Sequence, residues 1–375
     1  MDSFFAVSAP GLEPFTRQEM LALDYASSSV EPGGILFQGD QAALYRANLH
    51  LRTASRILAR LGNFFYATTF TQLEQRLASL PWERFLAPRQ PVSIRVSCHK
   101  SKLYRSDAVA RVASRALEQR LGVPSPLLKP DEDGDQASQL VVIRLVDDKC
   151  TVSVDSSGTL LHKRGYRQAV AKAPLRETLA AAMLLASSWD RSAPLIDPFC
   201  GSGTIPIEAA MLALGIPPGI NRSFAFMDWP GFDKPLWQTI LSETSPRPES
   251  HPLIQASDRD AGAIKSAQAN AERAGVSEFI DFQCQAVSSI LPPPGAGWVV
   301  TNPPYGLRLS EGKDLRNLYA QFGNVLRQKC PGWNVSVLCS DSALLGQMHL
   351  KLDTSLALVN GGIRVRLGRG VANTL

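Results

Sequence analysis

The stretch that most constrains the fold lies at residues 193–210 and reads APLIDPFCGSGTIPIEAA. A short apolar run ends at Asp197, a loop with Gly201 and Gly203 follows, and helical spacing of apolar residues begins after Thr204. Strand, glycine loop and helix in this order are typical of the first unit of a nucleotide-binding α/β fold. Glycine lets the backbone turn sharply and approach a ligand, and the helix start offers free N–H groups.

Two details of this loop favour S-adenosylmethionine (SAM) over a nucleoside triphosphate. The loop is shorter than the phosphate-cradling GxxxxGK[ST] motif, and no Lys-Ser or Lys-Thr pair follows it. An acid at a strand end followed by Gly-x-Gly suits a ligand with an amino group and hydroxyls. The alternative is a plain strand-to-helix connection, because a lone Gly-x-Gly is a weak signal. The predicted cofactor loop consists of Asp197, Pro198, Phe199, Cys200, Gly201, Ser202, Gly203 and Thr204.

A second motif, TNPPYG at residues 301–306, follows the apolar run 298–300 and so ends another strand. Proline has no N–H and fixes φ, so the carbonyl groups of Asn302 and Pro303 are expected to point rigidly into a site. Two such acceptors bind both hydrogens of an exocyclic amino group, and Tyr305 offers a flat ring to a planar base. A plain rigid turn is the alternative. The predicted catalytic residues are Asn302, Pro303, Pro304 and Tyr305, with Asn302 also at the cofactor.

Composition disfavours several classes of protein. The 375 residues are 45% hydrophobic and 19% charged, as in a globular chain long enough for two or three domains. No apolar run is long enough to cross a bilayer, and the N-terminus lacks the regions of a signal peptide. The six cysteines have no Cys-x-x-Cys spacing, so we expect neither zinc nor disulfides and predict a cytoplasmic protein without a metal.

The first 60 residues predict an α+β module. Apolar runs at 4–7 and 35–37 have strand character, and residues 12–23 have helical spacing. Residues 41–61 are predicted to form one long amphipathic helix. Its arginines, at positions 46, 52, 56 and 60, would form either a nucleic-acid-binding face or a solvated surface.

The clearest basic patch lies at residues 89–120, where eight Lys or Arg less two acids give a local charge of +6 in a chain of +5. Tyr104 and His99 lie among the cations, a mixture that suits phosphates and stacked bases. The alternative is a solvated charged face. The patch joins a predicted strand, a helix at 106–121 and a later hairpin, a compact α+β design for RNA binding. The predicted RNA contacts are Lys100, Lys102, Tyr104, Arg105 and Arg111.

After residue 193, strand-like runs alternate with helical patterns, which predicts a parallel sheet. The last two runs, joined by Asn360-Gly361-Gly362, predict a terminal hairpin that adds an antiparallel edge strand. An insertion with Trp229 and Trp237 lies between residues 216 and 251. The predicted strands are 194–197, 253–257, 279–283, 298–301, 335–339, 350–358 and 363–367.

These residues together resemble a known family. The segments LLHKRGYR, APLRETLAAAML, DPFCGSGTIPIEAAM, SDRD, ANAERAG and TNPPYGLRL resemble bacterial RNA guanine-N2 methyltransferases that carry a THUMP domain. The resemblance implies an α/β fold, with a Rossmann-like class I methyltransferase domain of seven strands preceded by an α+β THUMP-type RNA-binding region. The implied domains are a ferredoxin-like module at 1–60, a THUMP-type domain at 61–158 and a SAM-dependent methyltransferase domain at 159–375.

The resemblance also implies roles for further residues. Asp258 at the end of the second strand would accept the ribose hydroxyls of SAM, and residues 302–305 would hold the guanine amino group. The segments 164–167 and 176–177 would close over the cofactor. One departure concerns the adenine, because Ala286 stands where the family usually has an aspartate, which leaves the backbone or Gln285 to hold that base. The further cofactor residues implied are Arg164, Tyr166, Glu177, Asp258, Arg259, Gln285 and Ala286.

The resemblance favours 23S rRNA as the substrate and leaves tRNA open. Enzymes that methylate an amino group of DNA adenine or protein glutamine share the NPPY motif, although a basic N-terminal region is costly for a peptide substrate. An RNA-binding assembly factor with an inactive methyltransferase domain is the alternative outside enzymes. The intact residues 197–204 and 302–305 disfavour it. The sequence does not indicate the oligomeric state.

Overall fold

The computed structural model describes residues 1–25, 27–129, 138–168, 175–244, 251–305 and 315–373. The chain divides into two compact units, each built from separate segments. The N-terminal unit comprises residues 1–8, 17–161 and 222–243, and the C-terminal unit comprises residues 9–16, 162–221 and 244–375.

The strands of the N-terminal unit form one sheet in the order β2-β3-β1-β4-β9-β8-β6-β7, with the short β5 paired to β9. Because β4 pairs with β9, residues 1–60 and 61–158 share this sheet. The elements up to residue 161 are β1 (Asp2–Ser8), α1 (Glu13–Ala22), β2 (Ser29–Glu31), β3 (Gly34–Gly39), α2 (Gln41–His50), β4 (Ala54–Arg60), β5 (Phe65–Tyr66), α3 (Phe70–Ala78), β6 (Val92–His99), α4 (Ser106–Leu121), β7 (Leu127–Leu128), β8 (Gln139–Val146) and β9 (Lys149–Asp155), with a 3-10 turn at Trp82–Arg84.

The predicted helix over residues 41–61 is wrong. The helix α2 ends at His50, Leu51 has an extended backbone, and the strand β4 begins at Ala54. This strand lies between β1 and β9 in the sheet, and its residues are buried on both faces, so its apolar residues lack a clear period of two. The arginines therefore share no helical face, and Arg56 is only 5% exposed, which excludes a solvated surface there as well.

A buried ion pair fixes the end of β9. The guanidinium of Arg56 bonds the carboxylate of Asp155, which is fully buried, and also donates to the Gly158 carbonyl at 2.6 Å. Burial raises the pKa of Asp155, and the charge of Arg56 opposes that rise. Arg222 donates to the carbonyls of Leu160, at 3.0 Å, and of Thr159. Two arginines thus hold the chain as it leaves the sheet.

The insertion predicted between residues 216 and 251 contributes residues 222–243 to the N-terminal unit, although it lies within the range implied for the methyltransferase domain. The Trp229 indole N–H donates to Gln139 Oε1 at 2.8 Å, and the Phe226 ring stacks on Tyr45 with centroids 4.4 Å apart. The segment contains a 3-10 turn at Ala225–Asp228 and the helix α7 (Lys234–Ser242). Its aromatic residues complete the core of this unit.

The C-terminal unit has the predicted seven-stranded sheet within its described residues, in the order β12-β11-β10-β13-β14-β16-β15. The first five strands pair in parallel and β16 pairs antiparallel with β14 and β15, which confirms the predicted fold class. Its elements are α5 (Glu177–Ala186), β10 (Leu195–Asp197), α6 (Thr204–Ala213), β11 (Ile254–Asp258), α8 (Ala261–Ala274), β12 (Ile280–Cys284), β13 (Trp298–Thr301), α9 (Leu315–Lys329), β14 (Asn334–Cys339), α10 (Ser342–Gln347), β15 (Leu352–Asn360) and β16 (Ile363–Val371), with 3-10 turns at Ser277–Phe279 and Val287–Ser289.

Local signals explain where several elements begin and end. The Asp260 side chain accepts the N–H groups of Gly262 and Ala263 and so caps the start of α8. Gly275 ends that helix in the left-handed conformation, with φ of 69°. Gly361 and Gly362 have φ of 58° and 83°, the conformation that a two-residue hairpin turn requires.

Removing Arg56 should destabilise the N-terminal unit strongly. Arg56→Ala leaves the Asp155 carboxylate buried without its ion pair, and we expect a loss of about 3–5 kcal/mol in the free energy of unfolding. Arg46 pairs with Glu243 at 2.8 Å on the surface, so Arg46→Ala should cost less than about 1 kcal/mol. Urea unfolding of both variants measures the difference, and equal losses would contradict this role for the buried pair.

Candidate active site

Three strands of the C-terminal unit end at the same edge of the sheet. The strand β10 pairs in parallel with β11 on one side and β13 on the other. Because parallel strands run in one direction, the residues at their carboxyl ends, Asp197, Asp258 and Thr301, lie side by side. The glycine loop and the TNPPY motif therefore meet at the edge where α/β sheets bind ligands.

The glycine loop is held by its neighbours. The N–H of Cys200 donates to the Ser257 carbonyl at 3.0 Å, and the N–H of Gly201 donates to Asp258 Oδ2 at 3.1 Å. On the other side, Asn270 Nδ2 in α8 donates to the Ser202 carbonyl at 2.9 Å. The loop conformation is thus set by the end of β11 and by α8.

The two loop glycines have different roles. A Cβ on Gly203 would lie 3.0 Å from the Ala267 Cβ and 3.3 Å from Ile207 Cδ1, so the absence of a side chain there lets α6 pack against α8. Among the described residues, a Cβ on Gly201 would have nothing within 4 Å. The space beside Gly201 is thus compatible with the expected approach of a ligand, whereas the missing side chain of Gly203 serves the packing of helices.

Asp197 connects the two motifs. Its side chain is buried, and Oδ1 accepts the Thr301 hydroxyl at 2.6 Å and the Phe199 N–H at 3.2 Å. Burial raises the pKa of Asp197 to about 7, and the hydrogen bonds from Thr301 and Phe199 oppose that rise. Sequence reasoning missed Thr301 as a contact of the cofactor loop. It lies directly before Asn302, so the position of Asn302 is tied to that loop.

Asn302 carries an acceptor that the fold leaves unused. Its Oδ1 is buried, and no donor within the described part of the chain reaches it. A buried acceptor without a partner is costly, which makes it a place where a ligand donor is favoured. The Pro304 carbonyl already accepts the Tyr319 hydroxyl at 3.3 Å, and Pro303 is buried. Asn302 is thus the member of the motif best suited to bind an amino group.

The expected base-stacking role of Tyr305 disagrees with the structure. The Tyr305 side chain is 2% exposed and belongs to the apolar core of this unit. Its hydroxyl accepts a hydrogen bond from Asn360 Nδ2, at the end of β15, at 3.0 Å. A ring held in the core cannot offer its face to a base, and the sequence could not show a partner 55 positions away. Gly306, the last residue of the predicted motif, lies outside the described residues.

Arg164 and Tyr166 contact helix α6, which follows the glycine loop. Glu208 Oε1 in α6 accepts the Tyr166 hydroxyl at 3.2 Å and lies 3.5 Å from the Arg164 Nε, and all three residues are buried. Arg167 bonds the Thr204 hydroxyl at the start of α6 and pairs with Glu177 at 3.5 Å. These contacts anchor the segment 164–167 to the helix that follows the loop.

Glu177 retains an unused acceptor. Burial raises the pKa of this side chain, and Arg167 opposes that rise. The Glu177 Oε2 atom is buried and has no hydrogen-bond partner in the described residues. The resemblance implies Arg164, Tyr166 and Glu177 as cofactor residues. Of these three, Glu177 is therefore the one best suited to bind a polar ligand.

The residue after β12 contacts the end of β11 through its backbone. The N–H of Gln285 donates to the Asp258 carbonyl at 3.0 Å, while Arg259 and Ala286 are exposed. The Asp258 carboxylate receives the N–H groups of Gly201 and Asp260, so its predicted bonds to ribose hydroxyls would add to these. Open space beside Gly201 and the unused oxygen of Glu177 make this edge fit SAM.

The predicted RNA contacts all lie on the surface of the N-terminal unit. Tyr104 is 75% exposed, and Lys100 and Lys102 are exposed in the loop after β6. Asp107 lies 3.0 Å from Arg111 and 3.6 Å from Arg105, so it offsets part of their charge. Glu74 and Glu83 pair with the two arginines later in α4. The positive charge of this patch is therefore concentrated in its loop.

Two further features bear on function. Across the described ranges, no helix is long and apolar enough to span a bilayer. Within the same residues, no three His, Cys, Asp or Glu side chains cluster so as to hold a metal ion.

The two glycines should respond differently to substitution. Both have positive φ, 52° for Gly201 and 84° for Gly203, so alanine brings backbone strain at either position. Only Gly203→Ala adds a clash with α8, so it should lower the melting temperature of the cofactor-free protein further. Gly201→Ala places its methyl in the open space and should weaken SAM binding at least fivefold by calorimetry. A Gly201 variant with unchanged affinity would contradict this placement of the ligand.

The titration of Asp197 should be visible in the stability of the cofactor-free protein. Its pKa of about 7 in the fold exceeds the value of about 4 in an unfolded chain, so only the folded state holds the proton between these values. The contribution of Asp197 to the free energy of unfolding therefore falls as pH rises from about 4 to 7. Asp197→Asn does not titrate and should lack this decline, which we expect to be on the order of 1–4 kcal/mol.

Urea unfolding at intervals between pH 4 and 8 measures the decline for Asp197. Asp190→Asn is the matched control, because backbone N–H groups lower the pKa of that exposed aspartate. Parallel curves for the wild type and Asp197→Asn would contradict the raised pKa.

Comparison with known families accounts for most of the chain. Residues 164–367 match the family described as RMKL-like, methyltransferase domain. Residues 3–58 match the RlmL ferredoxin-like domain, and residues 67–155 match the THUMP domain.

Similar proteins extend over nearly the whole length. The Bacillus subtilis protein named "Putative RNA methyltransferase YpsC" is 35% identical over 96% of this chain and 94% of its own length. The crystal structure of SMU.472 in complex with SAH is 30% identical, with a TM-score of 0.86 over 100% of this chain and 99% of that one. A Listeria monocytogenes structure described as a "predicted N6-adenine-specific DNA methylase" is 33% identical, with a TM-score of 0.82 over 98% and 95%.

The bound SAH, the demethylated product of SAM, in a structure so similar to this one agrees with the glycine loop and the unused oxygens around it. SAM is therefore the cofactor of this protein. The chain belongs to the THUMP-containing family of RMKL-like methyltransferases.

Proposed function

We propose that this protein transfers a methyl group from SAM to the exocyclic N2 amino group of a guanine in RNA. We favour 23S rRNA as the substrate, with tRNA as the alternative. The observation that carries the proposal is the buried, unused Oδ1 of Asn302, at the same sheet edge as the cofactor loop. An amino group on a planar base is a donor that this oxygen can accept. The guanine and the rRNA are supported by the family resemblance of the motifs.

RNA as the substrate class has separate support. The name of the B. subtilis relative refers to RNA, and the chain carries a match to the THUMP domain. The loop with Lys100 and Lys102 adds exposed positive charge to that region. Such charge suits the phosphate backbone of a nucleic acid. A cytoplasmic location would agree with an RNA substrate and stays a prediction.

The proposed chemistry asks little of the protein beyond placement. SAM supplies an electrophilic methyl group when it is bound. The lone pair of the target amino group is delocalised into its ring, so the enzyme must orient the nitrogen and accept hydrogen bonds from its N–H groups as positive charge develops. Asn302 Oδ1 would accept one of these hydrogens. Thr301, through its bond to Asp197, would hold Asn302 at a fixed distance from the cofactor loop.

A second candidate is methylation of an adenine amino group in DNA. It is favoured by the description of the L. monocytogenes structure, and an amide oxygen would accept either amino group. One assay separates the candidates: incubation of the protein with labelled SAM and undermodified RNA, DNA or protein, followed by nucleoside analysis. Label in N2-methylguanosine supports the proposal, whereas label in DNA adenine supports the alternative.

Asn302→Ala should abolish most of the activity while preserving the cofactor site. Loss of one preorganised acceptor typically costs about a hundredfold in rate, so the single-turnover rate at saturating SAM should fall by roughly that factor. SAM affinity measured by calorimetry should stay within about threefold, because Asp197, Thr301 and the loop remain. Asn324→Ala, at an exposed asparagine of α9, is the matched control. An Asn302→Ala rate within threefold of the wild type would rule out this role.

A further inference from the structure

Two aromatic side chains of the N-terminal unit lie exposed on one side of β5. The Phe64 and Tyr66 side chains are 51% and 64% exposed, whereas Phe65 between them packs against the core. This alternation follows from the strand, because β5 pairs with β9 in a register that sets Tyr66 opposite Lys149. The two exposed rings are perpendicular, with centroids 6.0 Å apart.

A cation completes this pair. The ammonium group of Lys149 lies 3.7 Å from the centroid of the Phe64 ring, a cation–π contact. Large exposed aromatic rings are costly in water, and two of them with a cation form a surface that a ligand with flat rings and negative charge would cover. We call Phe64, Tyr66 and Lys149 the aromatic platform.

The turn that carries Lys149 also holds the basic loop after β6. The Asp148 carbonyl accepts the N–H of Ala67, directly after β5, at 3.1 Å. The Asp148 carboxylate accepts the N–H of Lys102 at 2.6 Å, and the Asp148 N–H donates to the Ser101 hydroxyl at 3.0 Å. One residue therefore joins the platform to the loop that contains Lys100 and Lys102, and the two form a continuous surface.

We infer that the aromatic platform binds unpaired nucleotides of the RNA substrate, with their bases stacked on Phe64 and Tyr66 and their phosphates near Lys149 and the basic loop. Stacking requires bases that are not paired in a helix, because a duplex hides their faces. The charges favour nucleic acid over a protein partner, since Lys149 lies over the Phe64 ring and Lys100 and Lys102 are exposed in the loop that Asp148 holds. The inference rests on the proposed function, which makes RNA the substrate.

The test uses the full-length protein and fluorescence anisotropy with an unstructured, labelled 15-nucleotide RNA and a duplex of the same length. Phe64→Ala/Tyr66→Ala should weaken binding of the single strand at least tenfold, since one stacked base is worth about that factor. Duplex binding should change less than twofold. Phe64→Tyr/Tyr66→Phe keeps both rings and should bind the single strand within twofold of the wild type.

Unchanged affinity of the alanine double variant for the single strand would overturn the inference, and so would an equal loss for the duplex. A changed sedimentation coefficient with unchanged RNA affinity would identify the platform as a protein interface instead, which also overturns it. If the double variant does not fold, Lys149→Gln provides the test. It should reduce the slope of log affinity against log salt by about one, and an unchanged slope would count against the platform.

Failure of this inference can be told from failure of the proposed function. A wild-type protein that methylates RNA, together with an alanine double variant of unchanged KM for RNA, would refute the platform alone. A wild-type protein that methylates DNA or protein but not RNA would refute the proposed function, whatever the platform binds.

Discussion

The parallel pairing of β10 with β11 and with β13 is the constraint on which the functional site depends. It brings the ends of three strands, which lie 61 and 43 positions apart along the chain, to one edge of the sheet. The hydrogen bond from Thr301 to Asp197 then spans 104 positions and joins the cofactor loop to the segment that follows β13. A change in the register of these strands would therefore separate Thr301 from Asp197.

The same edge concentrates polar groups whose burial is costly. Asp197 is buried with a raised pKa, and Glu177 and Asn302 each retain a buried oxygen without a donor within the described residues. Such groups reduce stability, and proteins retain them where a ligand supplies the missing partner. SAM and a substrate amino group have the donors that these oxygens require. The same unpaired oxygens thus lower the stability of the cofactor-free protein and favour the binding of ligands.

Much of the fold could be predicted from local patterns. The helix at 106–121 has the predicted bounds, and Gly122 in the left-handed conformation marks its end. The strands of the C-terminal unit followed from apolar runs that end in motifs. The helix expected over 41–61 failed because β4 is covered on both faces, so its apolar spacing carries no clear period. Periodicity identifies an element only when one of its faces meets water.

The candidate site was predictable to the extent that its chemistry lies within a motif. Asp197, Gly201 and Asn302 were predicted because they stand at a strand end or in the segment that follows one. Thr301, Glu208 and Asn360 were missed, since their roles depend on partners far along the chain. Tyr305 shows the converse: its place in a motif predicted an open ring, while a hydrogen bond to Asn360 and the apolar core keep it buried. A motif specifies residue types, and the fold decides which side of each residue faces the ligand.

The aromatic platform differs from the candidate active site because no sequence motif predicts it. Tyr66 lies in the two-residue strand β5 and Phe64 lies directly before it, and their exposure follows from the pairing of β5 with β9. Neither unit is a continuous piece of chain, since residues 222–243 complete the N-terminal unit and residues 9–16 belong to the C-terminal one. A single cut in the chain therefore cannot separate the two units intact. Recognition and chemistry must be separated by side-chain substitution in the intact protein, and the exposure of the platform makes that substitution possible without disturbing a core.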